Sequence, residues 1–411
     1  MQKLLATAIA AAVSGTTPIS DDTAGPSLAR ILSAIRTHLG MDVAFIAEIV
    51  GGQRVFRYVD GHEPSGLVRL GESAPVEESY CQRVLDGRLP PLLTDACLNA
   101  EALTLAATRA LPVGAHLSVP IRLQDGRLYG TFCCFSLRPD DSLNERDLAM
   151  MRVLAEMAAA QIQAEQQERD AVQQIERRLD AVLGADGLRM VYQPICDVQG
   201  GRVLGFESLA RFASEPYRAP DVWFSEVAQL GRQIELESRA IRLALMALDD
   251  LPSEVYVAVN ASPDTIVKGD FSRLLAGQPL QRVVVEITEH RAVERYDEIA
   301  AVLRPLQREG LRIAIDDAGA GYSSFRHILN LQPEIVKLDI SITRAIDTDR
   351  SRRALAAALC SFAEQTGSSI VAEGIETQGE LDTLKALGIS RAQGYRLGRP
   401  MPLQQAQALL H

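Results

Sequence analysis

The chain has 411 residues, 47% of them hydrophobic and 23% charged, and a formal net charge of −11 at pH 7. Its length exceeds what one hydrophobic core usually supports and its composition excludes wholesale disorder, so two globular domains are expected. The acidic balance excludes a broad grip on a nucleic acid polymer, which needs clustered Lys and Arg to displace counterions from phosphates. Six cysteines (Cys81, Cys97, Cys133, Cys134, Cys196 and Cys360) are scattered without CxxC spacing. That pattern indicates neither a zinc cluster nor a disulfide framework and fits a reducing cytosol.

At the N-terminus, Lys3 followed by the apolar run 4–13 imitates the charged and apolar regions of a signal peptide. The run is too short to span a bilayer, no other apolar run approaches that length, and no membrane span is expected. Residues 1–25 are set apart as a segment of their own.

Residues 26–164 carry a mixed pattern. Leu28, Ile31, Leu32, Ile35 and Leu39 recur at helical spacing and stop at Gly40, a usual residue just past a helix. Two β-rich runs, 43–50 and 55–59, flank the Gly51-Gly52 turn and predict a hairpin, and 117–123 with 128–137 predict a second around Asp125-Gly126. Between them lies a predicted helix, 76–85, closed by Asp86-Gly87. The wording Glu78-Ser79-Tyr80-Cys81-Gln82-Arg83-Val84-Leu85-Asp86-Gly87, then Gly114-Ala115-His116-Leu117-Ser118-Val119-Pro120-Ile121 and Tyr129-Gly130-Thr131-Phe132-Cys133-Cys134, resembles bacterial GAF domains. The resemblance implies a small α+β sensory domain for a ligand or cofactor that no specialised signature here identifies. Cys81 reads either as a chromophore or redox attachment site or, as is commoner for a cysteine on an amphipathic helix, as core packing.

Ser142 with Glu145 reads as a capping box that opens a long helix over 143–183. Met151, Leu154, Ala158 and Ile162, then Val172, Ile175, Leu179 and Val182, recur at three-and-four spacing around a polar stretch, 163–170. The pattern predicts a signalling helix, with 165–184 as linker, that pairs with its twin in a homodimer. A solvated linker lying against its own domain is the alternative.

From Leu188 onward short β-rich runs alternate with helical stretches, the sign of βα units around a parallel sheet. Strands are predicted at 189–195, 203–209, 255–260, 283–287, 312–316, 335–339, 369–373 and 389–395. Eight strands in about 225 residues is the length of a TIM-like (βα)8 barrel. Glu207, Asn260, Glu286, Asp316, Lys337, Glu373 and Gln393 each fall at or next to the C-terminal end of a different strand, where barrel enzymes carry their chemistry. A single such carboxylate is readily a helix cap or loop anchor. Several in one mouth repel unless cations neutralise them. Oxygen ligands without clustered His or Cys select Mg2+ or Mn2+ over zinc, and the Asp316-Asp317 pair suits two ions about 4 Å apart that acidify a water. Phosphodiester hydrolysis is the reaction class that follows.

Glu207-Ser208-Leu209-Ala210-Arg211 resembles the ExLxR signature of EAL phosphodiesterases. Gln193-Pro194-Ile195, Asn260-Ala261-Ser262, Glu286-Ile287-Thr288-Glu289, Asp316-Asp317-Ala318-Gly319, Lys337-Leu338-Asp339, Glu373-Gly374-Ile375-Glu376 and Gln393-Gly394-Tyr395 follow in that family's order, over 185–411. The resemblance implies a phosphodiesterase that opens cyclic di-GMP. It implies that Glu207, Asn260, Glu286 and Asp316 hold one metal, and that Asp316, Asp317 and Glu373 serve the second or its water. Lys337 would stabilise the water and the phosphorane charge, Arg211 and Gln193 would contact substrate, Gln393 would lie at the active site, and Glu289 would tie down the loop that begins at Asp316. Two departures stand out: Ser208 replaces the alanine that names the family, and Ala318 replaces the usual phenylalanine after the aspartate pair. A silent receptor that binds cyclic di-GMP and acts through partners is the second function class. It is disfavoured because every matched position keeps its ligand type. A cytosolic nucleotide places the chain in the cytoplasm, so a helix at 4–13 is expected in preference to a leader.

Overall fold

The computed structural model describes residues 25–61, 68–111, 113–184, 187–213, 217–287, 295–318 and 323–410. They form two compact units that divide between Ala171 and Val172. The expectations for the segment 1–24 and for Glu289 lie outside the described residues.

In the first unit six antiparallel strands, β1 (Val43–Val50), β2 (Gln53–Gly61), β3 (Ser73–Pro75), β4 (Leu92–Leu93), β5 (His116–Arg122) and β6 (Leu128–Phe135), lie in the order β3-β2-β1-β6-β5-β4. Both predicted hairpins are present, β1 with β2 and β5 with β6. Gly51 and Gly52 turn the first at φ 58° and 74°, the left-handed region that the tight hairpin demands. Period-two alternation gives the sheet two different faces. Ala44, Ile46, Leu117, Val119, Phe132 and Cys134 pack with the helix Gly25–Leu39 and with Leu148, Met151, Leu154, Ala158 and Ile162 of a long helix, Glu145–Leu183. Val43, Phe45, Cys133 and Phe135 pack on the other side with Tyr80, Cys81 and Leu89.

Two local expectations change. The helix expected over 76–85 is broken: Val76–Glu78 is a single 3-10 turn and Ser79 is extended (φ −111°, ψ 154°). Ser79 then caps the helix Tyr80–Leu85 by accepting from Gln82 N at 3.2 Å, an alternative to continuing the helix that serine offers readily. The long helix opens two residues later than a Ser142 cap would place it. Ser142 Oγ donates to Asp140, while Asn144 accepts from Arg146 N and Asp147 accepts from Asn144 N at 2.9 Å.

The second unit is a closed barrel of β7 (Leu188–Asp197), β8 (Val203–Phe212), β9 (Tyr256–Ala261), β10 (Val283–Ile287), β11 (Arg312–Ala318), β12 (Ile335–Leu338), β13 (Ser369–Ala372) and β14 (Arg391–Gln393). All eight predicted strands are there. The first pair is not a βα unit, however: β7 runs antiparallel to both β8 and β14, whereas the pairings from β8 to β14 are parallel. A short turn at 198–202 leaves no room for a crossover, so the chain must double back.

Alternate residues divide the barrel strands. Val257, Val259, Val283, Val285, Ile287, Ile313 and Ile315 join Ile241, Ile299, Leu303 and Leu306 of the surrounding helices. Ile195, Tyr256, Ala258, Val284, Ala314, Ile335 and Val371 form a separate small cluster from six strands with no helical member, so they fill the interior. Among the described residues no helix is long and apolar enough to cross a membrane.

The long helix does not offer the continuous seam expected for pairing with a twin. Met151, Leu154, Ala158 and Ile162 are buried in the first unit's core. Leu179 and Val182 are buried in the second, with Leu188, Phe212, Trp223, Val227 and Leu236. Val172 and Ile175 alone of the eight positions stay partly exposed. Leu179→Ala should therefore lower the stability of the barrel unit by about 3 kcal/mol, the usual cost of such a cavity, and leave the molecular mass unchanged. Trp223 is the chain's sole tryptophan and belongs to the same cluster, so its fluorescence in a urea titration checks this directly.

Candidate active site at the barrel mouth

The interior apolar cluster sets the site's depth. Two residues beyond Ala258, Val284, Ala314, Ile335 and Val371, on the same face of each strand, stand Asn260, Glu286, Asp316, Lys337 and Glu373. Register aligns them across the sheet: Glu286 pairs with Asn260 on β9, and Lys337 with Val371 on β13. Glu207 sits mid-strand in β8, opposite Gln193 of β7, and not at its end, because the β7–β8 hairpin runs on past the rim to Phe212.

One ammonium holds the centre. Lys337 Nζ lies 2.7 Å from Glu373 Oε1, 2.8 Å from Glu286 Oε2, 3.1 Å from Asp316 Oδ1 and 3.7 Å from Glu207 Oε2. Lys337 and Glu286 are each 1% exposed. Gln393 Nε2 donates to Glu207 Oε2 at 2.5 Å and to Gln193 Oε1 at 3.0 Å, Gln193 Nε2 donates to the Gly398 carbonyl, and Asn260 Nδ2 reaches Glu207 Oε1 at 3.4 Å. The sequence-predicted residues Glu207, Asn260, Glu286, Asp316, Lys337, Glu373, Gln393 and Gln193 are thus brought together. The side chain of Asp317 lies outside the described residues.

Backbone devices aim two of the acids. The ladder between β11 and β12 slips between Ile315 and Ala318, so the Asp316-Asp317 pair sits on a bulge, a common way to redirect side chains at an active site. Ala318 itself is buried and pairs with Leu338. Glu373 follows β13 directly, its N–H donating to the Leu338 carbonyl and its own carbonyl accepting from Thr343 Oγ1 at 2.5 Å. Gly374 then turns at φ +67° with the Ile340 side chain 2.4 Å from where a Cβ would be, which leaves room only for glycine. Ser208 is buried and donates to the Ala258 carbonyl at 2.7 Å, so its hydroxyl is satisfied by β9.

Electrostatically the cluster is under-compensated. Four carboxyl groups face one ammonium, so ionising all of them would leave three negative charges unbalanced. Burial, relieved by Lys337 but reinforced by Glu207 and Asp316, pushes the Glu286 carboxyl well above the usual range. Burial likewise raises Glu373 to about 8. Desolvation alone would lower the Lys337 ammonium, yet Asp316, Glu207, Glu286 and Glu373 together drive it well up. The buried Gln393 Oε1 has no hydrogen-bond partner among the described residues. An all-oxygen donor set with surplus negative charge and an orphaned acceptor fits hard divalent cations. As the side chains stand, Lys337 takes the point where the acids converge, and the described residues hold no ready-made His, Cys, Asp and Glu coordination sphere.

Beside the cluster opens a cavity of about 890 Å³ walled by Arg211, Asn260, Ser262, Phe224, Glu237 and Pro263. Arg211 is half-buried, its Nη1 donating to the Ala210 carbonyl. Glu237 was not anticipated from the sequence. It is 8% exposed, and it accepts from Ser262 N at 2.9 Å and Ser262 Oγ at 2.7 Å, fixing the turn that follows Asn260. An acid beside Leu236 on the inward face of the helix Gln233–Leu245 was the available signal.

Comparisons with known proteins agree with this architecture. The EAL domain family model matches residues 175–400, and the GAF domain model matches 28–163. The probable cyclic di-GMP phosphodiesterase PdeD of Escherichia coli K12 is 28% identical over 238 residues, 56% of this chain and 44% of that protein. The uncharacterized protein sll1895 of Synechocystis is 28% identical over 368 residues, 83% of this chain and 52% of that protein. The chain thus spans about half of each of these two relatives. Among solved structures, a PaMucR phosphodiesterase in complex with c-di-GMP covers 57% of this chain and 99% of its own, at a TM-score of 0.51 and 26% identity. The cAMP-bound EAL enzyme Bd1971 shares the fold over 90% of this chain and 93% of its own, at a TM-score of 0.53 and 17% identity. Because the matched span exceeds half of the 411 residues, the chain belongs to the EAL domain family, with a GAF domain ahead of the barrel.

Proposed function

We propose that the barrel is a divalent-cation-dependent phosphodiesterase that opens cyclic di-GMP to linear pGpG. The observation that carries this reading is the buried Lys337 ammonium set among Glu207, Glu286, Asp316 and Glu373 at the mouth of an EAL-family barrel. The cyclic di-GMP chemistry of PdeD and of the PaMucR complex supports the choice of substrate.

Glu207, Asn260, Glu286 and Asp316 would hold one Mg2+ or Mn2+, and Asp316, Asp317 and Glu373 a second. The chemistry those ions supply when bound is neutralisation of phosphate charge and acidification of the attacking water. The chain's own groups do the rest. Gln393, gripping Glu207 and Gln193 at once, fixes the Glu207 carboxylate. Lys337 places a compact cation beside Glu373 and Asp316, where negative charge grows on the phosphorus oxygens as the ring phosphodiester opens. Arg211, on the cavity wall next to Asn260, offers a fork of donors to the substrate phosphate. Gln193 contacts substrate from β7, and Glu289 anchors the segment that begins at Asp316. A silent receptor that binds cyclic di-GMP is the second reading, disfavoured because every matched position keeps its ligand type.

The GAF domain is proposed to regulate the barrel, in the cytoplasm, through the single helix that starts in the first unit and ends in the second. Purified protein with Mg2+ or Mn2+ should yield pGpG first and GMP only slowly. Glu207→Ala and Asp316→Ala should abolish turnover, and Lys337→Ala should cut kcat by at least about 100-fold. Product chromatography decides the matter, and near wild-type rates in any of the three variants sink the site assignment.

A second test reads stability. With cations chelated, the folded state holds the Glu373 proton up to about 8, against an ordinary 4.5 in the unfolded chain. Its contribution is thus fully present below 4.5 and is lost as pH rises through 8. The chelated protein should therefore lose stability over that window. Mn2+ should reverse the loss, by about 2.7 kcal/mol at a hundredfold excess over Kd. Trp223 fluorescence during thermal unfolding measures both.

A homodimer is also proposed, supported now only by Val172 and Ile175 on the polar middle of the long helix. Replacing both with Glu should shift the mass seen by light scattering to that of a monomer. An unchanged mass excludes pairing through this helix.

A further inference from the structure

The first unit buries two thiols against each other. Cys81 on the helix Tyr80–Leu85 and Cys133 on β6 are both 0% exposed, and their sulfurs lie 3.7 Å apart, 52 residues apart in sequence. The extended Ser79 starts and caps that short helix, and Cys81 is its second residue. Around Cys133 the core is not apolar: Ser118 Oγ lies 3.1 Å and Thr131 Oγ1 3.4 Å from its sulfur, and both residues are fully buried. A site that served packing alone would carry Val or Ala there, since buried hydroxyls cost free energy unless they are used. Cys134, the next residue, belongs to the opposite face of the sheet and cannot reach Cys81.

We propose that Cys81 and Cys133 are a dithiol redox site in the GAF domain that closes to a disulfide on oxidation by a peroxide and reopens with a thiol reductant. The polarity of the pair sets the order of events. The hydrogen bond from Cys133 and the nearby Arg54 charge lower the Cys81 thiol to about 6, against the effect of burial, while burial and Cys81 itself push Cys133 well up. The Cys81 thiolate attacks one peroxide oxygen and the O–O bond breaks. Cys81 sulfenic acid forms and the other oxygen leaves as hydroxide, which takes up the proton Cys81 had lost. The Cys133 sulfur then attacks the Cys81 sulfur, the S–O bond breaks, and the hydroxyl departs as water with the Cys133 proton. Two electrons pass from the thiol pair to hydrogen peroxide, which ends as two waters. The site is independent of the phosphodiesterase reading.

The test uses the full-length protein. After hydrogen peroxide treatment and quenching, remaining thiols are alkylated with iodoacetamide in denaturant and the peptides are mapped by mass spectrometry. The expected result is a cross-linked pair joining Cys81 to Cys133 and the loss of two alkylatable thiols, both undone by dithiothreitol. Cys134→Ser should behave like the wild type, and Cys81→Ser and Cys133→Ser should each abolish the cross-link. Should either serine variant fail to fold, the wild-type map decides alone. Cys81 and Cys133 still alkylatable while the exposed Cys97 is oxidised, or Cys81 joined to any other cysteine, overturns the proposal.

Discussion

A lysine ammonium that is 1% exposed can stay charged only if its partners are already in place, because desolvating it costs several kcal/mol that a poorly aimed carboxylate does not return. Everything above the barrel's apolar floor answers that constraint. Glu286 and Lys337 stand on parallel strands whose register fixes them two residues above Val284 and Ile335, so their 2.8 Å contact follows from the closed sheet and from no loop. Glu373 lies just beyond its strand and needs more: the Leu338 carbonyl, the Thr343 hydroxyl and the turn at Gly374 hold its backbone. Glu207 is fixed by its antiparallel neighbour and by the Gln393 amide. The lysine satisfies one charge of four. Burial first, and the neighbouring acids second, raise Glu286 and Glu373 against the pull of that lysine.

The same period of two governs the first unit and leads to a different outcome. There the sheet has two packed faces, so successive residues on β6 serve two cores, and adjacent cysteines have unrelated surroundings. Cys134 sits among the residues that receive the two helices, with its thiol raised by burial. Cys133 faces the short helix and the hydroxyls of Ser118 and Thr131. His116 on β5 is buried on the same side as Tyr80, ring centroids 4.6 Å apart, and burial lowers its pKa to about 3, so it contributes no charge there. Arg54 is the cation that acts on this core.

Much of this was legible because alternation and strand-end polarity are local. The eight barrel strands and both hairpins follow from short apolar runs, and Glu286, Asp316, Lys337 and Glu373 from the polar residues that end four of them. Strand direction is not local, so nothing in 189–209 distinguished a hairpin from a βα unit except the brevity of 198–202. Asn144 and Ser142 are both good caps two residues apart, and only the surrounding hydrogen bonds select between them. The stripe on the long helix reads as a pairing seam in the sequence, yet most of it serves the chain's own cores. A three-and-four stripe states that a helix face is buried but not against what, and here two cores within one chain take six of its eight positions. Glu237 escaped notice because an isolated acid on an amphipathic helix has no pattern until its partner, Ser262, is placed in space.

Ala318 shows how such substitutions should be weighed. Read along the chain, the loss of a phenylalanine beside two acids suggests a slack segment. In the fold that residue is the last of β11, 1% exposed, and its pairing with Leu338 closes the bulge that carries Asp316 and Asp317. The backbone ladder, and not a side-chain anchor, therefore fixes the C-terminal side of the bulge, while Ile315 paired with Val336 fixes the other. With both flanks held, the aim of Asp316 at Lys337 depends on strand pairing that alanine supports as well as a ring does. The substitution consequently leaves the geometry of the acid cluster as the rest of the barrel sets it.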